Sequence, residues 1–139
     1  MEALIPKYQS FNIDKSIEEL QYNTLKEQTS LENLKFELYF YKMLLSKPIF
    51  KPHFMNLYER LTKFKNEIDT MNKNVVSLLN DLSNHAHQIR KKMECDDLVC
   101  DNFFVKKHDE IELKVFNFKT KIFNFKFRLF QYLESVMIN

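Results

Sequence analysis

Counting in alternating steps of three and four from Phe54 lands on Leu57, Leu61, Phe64, Ile68, Met71, Val75, Leu78, Leu82, His85 and Ile89. Of these only His85 is polar, and Lys, Glu, Asp and Asn fill most of the places between. Five unbroken seven-residue repeats predict a long helix with one narrow apolar seam for another helix. At about 1.5 Å per residue such a helix is a rod of roughly 55–60 Å.

The flanking stretches carry the same spacing. Ile17, Leu20, Thr24, Glu27, Leu31, Leu34, Leu38, Tyr41 and Leu45 predict a first helix over residues 15–46, with Asp14 or Ser16 as its cap and Glu18 and Glu19 in its first turn. From Phe36 onward its apolar surface widens, because Tyr39, Phe40, Met43 and Leu44 lie off the seam. Phe104, His108, Ile111, Val115, Phe118, Ile122, Phe125, Leu129, Tyr132 and Val136 predict a last helix over 102–137. That helix has a second stripe, Phe116, Phe123, Phe127 and Phe130, extended by Leu133 and Met137. Val115–Phe118 and Ile122–Phe127 also alternate with period two, as strands do. The persistent seam and the lack of turn residues between them favour helix.

Pro48 and Pro52 bound the first link, since each disfavours helix in the residue before it, and the middle helix is expected over 53–94. So short a link makes the first two helices an antiparallel hairpin. The seam fails at Lys92 and Asp96, so a turn is expected between Glu94 and Asn102. Residues 1–14 have no sustained period and form a lead-in whose Leu4, Ile5, Tyr8 and Phe11 are expected to pack on a neighbour. The expected fold is therefore all-α: an elongated antiparallel helical hairpin or coiled-coil bundle of three long helices, in one domain over 15–139.

Composition narrows the function. There is no Gly among 139 residues, which removes the phosphate-cradling and catalytic loops that need it. The formal charge of +2 gives no general argument for nucleic acid or anionic membrane. No apolar run approaches the ~20 residues that span a bilayer, and the first ten residues lack the layout of a secretory signal. Two cysteines make no disulfide framework. A reduced setting, cytoplasmic or nuclear, is expected.

Candidate chemistry is thin. Cys95 and Cys100 with His85, His87 and His108 have metal-ligand chemistry, but there is no tight Cys-x2-Cys pair, so no metal is expected. His85 and His108 sit on the seams, where a partly buried polar residue fixes register. Glu18/Glu19, Asp96/Asp97 and Asp109/Glu110 are adjacent in sequence and diverge on a helix. No nucleophile with its base is found, so neither an enzyme nor a cofactor nor a small-molecule substrate is expected. Lys106, Lys107, Lys114, Lys119, Lys121, Lys126 and Arg128 make the last helix basic, and we read them as a solvated face beside a seam.

Three helices closing on one another leave the second Phe stripe and the wide end of the first helix uncovered. Large apolar patches mark interfaces, and at about 25 cal/mol per Å² four buried Phe contribute several kcal/mol. Partner contacts are accordingly expected at Phe40, Met43, Phe116, Phe123, Phe127, Phe130 and Met137, with other coiled-coil subunits as partners.

The order of features resembles subunit 2 of the HAUS/augmin complex. The resembling features are a helix ending in the apolar stretch Leu34 to Leu45, then Lys-Pro-Ile-Phe-Lys-Pro-His-Phe, then the Phe54/Leu57 entry, Met71/Asn72 within the second helix, a short link and a last helix. The resemblance covers roughly residues 25 to 135. It implies a non-catalytic subunit of a hetero-octamer that binds the side of a microtubule and recruits the γ-tubulin ring complex for branched nucleation in spindles. Subunit 2 of that family lies in the microtubule-proximal part and pairs along its length with other coiled-coil subunits. The alternatives are a scaffold subunit of a kinetochore or vesicle-tethering complex, and an amphipathic protein that binds lipid or nucleic acid through the last helix.

Overall fold

The computed structural model describes residues 6–95 and 101–139. Three helices follow one another: α1, Ile17–Leu44; α2, Leu57–Cys95; and α3, Asp101–Val136. Residues 96–100, where the second turn is expected, lie outside the described part, as do Leu4 and Ile5. The Phe-rich segments of α3 are helical throughout, so the seven-residue repeat prevails over the local alternation.

Ser16 starts α1. Its Oγ accepts from the Glu19 amide at 3.1 Å, and the Glu19 carboxylate accepts from the Ser16 amide at 3.4 Å. This reciprocal pairing satisfies donors that have no partner inside the helix. Ser16→Ala is expected to cost about 1 kcal/mol in denaturant unfolding. An unchanged midpoint would show that Asp14 or water replaces the cap.

The seams bury as their spacing predicts. Leu31, Leu38, Phe64, Ile68, Met71, Val75, Leu82, Ile111, Val115, Ile122, Phe125 and Leu129 form one continuous core, each at 4% exposure or less. A second cluster of Leu20, Ile89 and Phe104 lies toward the other end. α2 runs antiparallel to both neighbours: Lys42 of α1 meets Asp69 at 2.6 Å, while Gln21, early in α1, donates to the Ala86 carbonyl late in α2. Arg128 of α3 meets Glu67, and Lys114 meets Asp81. α1 and α3 are therefore parallel, as Glu27–Lys119 and Glu37–Lys126 also show. α1 packs more closely on α2 than on α3.

The link between α1 and α2 is longer than its prolines imply. His53 and Asn56 hold left-handed backbone, with φ of 61° and 57°, so α2 begins at Leu57 rather than at residue 53. Such conformations disfavour residues with a Cβ, and Asn tolerates them best. Phe54, expected as the first residue of the seam, thus lies in the link; it is 40% exposed, with its ring edge toward Tyr132 at 6.5 Å. Leu57 and Leu61 are half-buried. The link also ties down the end of the chain. The amides of Lys51 and Ile138 donate to the carbonyls of Val136 and Ile49 at 2.7 and 2.8 Å, pairing Phe50 with Met137.

Candidate interaction surface

α1 and α3 touch through Glu27–Lys119, Glu37–Lys126 and Tyr41–Phe130, and the groove between them decides which apolar side chains remain open. At one end residues 6–15 fill it as an extended strap. The Tyr8 hydroxyl donates to Glu112 at 2.8 Å and its ring meets Phe116 edge-on at 5.7 Å. Ser10 and Asn12 donate to Asp109 at 2.5 and 2.7 Å, and Asn12 is buried. Burial, reinforced by Glu112, pushes the Tyr8 hydroxyl above the ordinary tyrosine range. Tyr8 thus packs as expected, whereas Phe11 is 69% exposed.

Of the expected partner contacts, Phe116 is half-covered by Tyr8 of the strap. Met137 is half-buried, its pairing with Phe50 setting it against the core. The other five stay open: Phe40, Met43, Phe123, Phe127 and Phe130 are 49, 41, 46, 36 and 48% exposed. Tyr41 joins the two helices. Its ring meets Phe40 at 6.1 Å and Phe130 at 5.6 Å, both edge-on, so an aromatic band runs from α1 onto α3 and continues along Phe127 and Phe123. The Tyr41 hydroxyl donates to Glu37 at 3.0 Å, and Lys126 holds that same carboxylate. Burial beside Glu37 raises the Tyr41 hydroxyl's affinity for its proton.

Much of the basic character of α3 is spent within the chain. Lys114, Lys119, Lys126 and Arg128 pair with Asp81, Glu27, Glu37 and Glu67. Exposed pairs of this kind contribute little stability, but they neutralise charge that an anionic surface would need. Among the described residues no helix is long and apolar enough to cross a membrane.

His85 and His108 come together in the core. His85 Nε2 lies 3.2 Å from His108 Nδ1, both rings being almost wholly buried. Thr24 Oγ1 is 3.4 Å from His108 Nδ1, and Glu112 is 3.3 Å from its Nε2. The polar residues expected on two separate seams therefore form one contact joining all three helices. Among the described residues no three metal-ligating side chains converge. His87 is exposed; Cys100 and the side chain of Cys95 lie outside the described part.

Also exposed, and not anticipated as partner contacts, are Tyr22, Leu25, Phe36 and Tyr39 on the outward side of α1, at 67, 45, 73 and 71%. The molecule so defined is an all-α, up-down-up bundle with an aromatic band across two parallel helices. No protein-family model, curated protein or solved structure matches the chain.

Proposed function

We propose that the chain is a non-catalytic helical subunit of a larger assembly, in which a partner's helix covers the band from Phe40 through Phe130 to Phe123. One observation carries this reading: the bundle closes its three seams internally and still leaves on the order of 400 Å² of aromatic surface uncovered along one gap, the scale of a functional patch. The resemblance to subunit 2 of the HAUS/augmin complex supplies the finer form, a spindle-associated cytoplasmic subunit acting with other coiled-coil chains on microtubules and the γ-tubulin ring complex. The internal pairing of four cations on α3 speaks against the alternative of a lipid or nucleic-acid surface.

The test is co-purification with tagged chain. Phe123→Glu combined with Phe127→Glu is expected to leave helicity and melting temperature nearly unchanged, since both rings are already part-exposed, and to abolish recovery of the partners. Recovery of the same partners by the double variant would sink the reading. The augmin form requires other augmin subunits among the partners recovered with wild type. A partner set without them leaves a different scaffold.

A further inference from the structure

The outward side of α1 carries a heptad of its own. Tyr22, Leu25, Thr29, Glu32, Phe36 and Tyr39 follow one another at spacings of three, four, three, four and three, and all six are exposed. They lie opposite the face that α1 buries through Leu20, Leu31 and Leu38, so no element of the described chain covers them. A four-three stripe is the seam of a two-stranded coiled coil. One further step of four reaches Met43, so at this end of α1 the stripe adjoins the partner band, while Phe123, Phe127 and Phe130 of α3 belong to the band alone.

We propose that this seam is completed by a second copy of the chain, with the two α1 helices antiparallel about a two-fold axis between Ser30 and Leu31. The order of residue types favours that occupant. In this register Tyr22 faces the copy's Tyr39, Leu25 faces its Phe36 and Thr29 faces its Glu32. Within these six positions apolar layers meet apolar layers and the two polar positions meet each other, while one step beyond, at each end of the seam, Met43 faces the copy's Glu18. The Thr29 hydroxyl, which bonds the Leu25 carbonyl at 3.3 Å in the single chain, rotates to donate to the copy's Glu32 carboxylate, and the symmetry makes this bond twice. A parallel copy would instead set Glu32 against Glu32, a like-charge layer. The exposed apolar side chains of the stripe amount to roughly 500 Å² per copy, or about 1,000 Å² for the pair, near the lower bound of specific interfaces.

The experiment is molar mass by light scattering over a range of concentrations, together with cysteine cross-linking in full-length chain with Cys95 and Cys100 replaced by Ser. Wild type is expected to reach twice 16.9 kDa, and Phe36→Glu to remain at 16.9 kDa with unchanged helicity. A mixture of Leu25→Cys and Phe36→Cys chains is expected to give a mixed disulfide dimer under mild oxidation, and Leu25→Cys alone to give none. A wild type monomeric at every concentration overturns the proposal. So does a dimer in which Leu25→Cys links to itself, which would run parallel. A dimer that survives Phe36→Glu but dissociates with Phe127→Glu places the contact on the α3 band instead, which also overturns it while leaving the partner surface in use.

Discussion

Thermal unfolding moves to lower temperature as pH falls from 6.5 to about 4, and His85→Leu removes the share of that dependence that His85 contributes. The cause is the histidine contact in the core. Burial, then the proximity of His108 and Lys107, holds His85 down at about 4 in the folded chain. Burial also lowers His108, against the opposing pull of Glu112 and Asp109 and with Lys15 adding to it. An unfolded histidine takes its proton near 6.5, so between 6.5 and about 4 the unfolded state binds more protons than the folded one. The sign follows: stability is fully present above 6.5, falls through that window and levels off below it. Linkage sets the steepest loss at about 1.4 kcal/mol per pH unit for each histidine, so His85 accounts for a few kcal/mol in all. Carboxylates titrate in the same range, and the informative quantity is therefore the difference between wild type and His85→Leu. Parallel curves for the two would refute the assignment.

Phe125→Ala is expected to cost about 3–5 kcal/mol in chemical denaturation, a large part of a small domain's stability. Phe125 is 1% exposed, packs edge-on against Phe64 at 5.9 Å and sits where the seams of all three helices meet. Phe127, two residues on and 36% exposed, should change stability by no more than about 0.5 kcal/mol when replaced by Ala. Comparable losses at the two positions would mean that the outer stripe is buried in solution. The pair separates a ring that builds the core from one available to a partner.

The core of this molecule was readable because its helices are long and regular: a four-three spacing sustained over four or five seven-residue repeats leaves one face to bury. Leu31, Ile68, Val75, Ile111 and Leu129 needed nothing more. Segments without a period hid the rest. Tyr8 covers Phe116 from more than a hundred residues away, and the link reaches back to Met137 through backbone hydrogen bonds. No stripe count registers either contact. His53 and Asn56 adopt left-handed backbone where glycine would have signalled it. The outer seam of α1 was only half visible, since Thr29 and Glu32 interrupt its apolar run and its continuity shows only once the inner face is known to be filled. The encounter of His85 with His108 likewise required knowing how α2 and α3 align.

The strap at Phe116 and the Phe50–Met137 pairing have a joint consequence for size. They stand toward the two ends of α3, about twenty-one residues apart, or roughly 30 Å. The stretch between them is crossed by Glu27–Lys119, Glu37–Lys126 and Tyr41–Phe130, so it is a shallow groove with a closed floor. A helix of five to six turns matches that length, and it would ride over those pairs along the exposed Phe123, Phe127 and Phe130 rather than enter between α1 and α3.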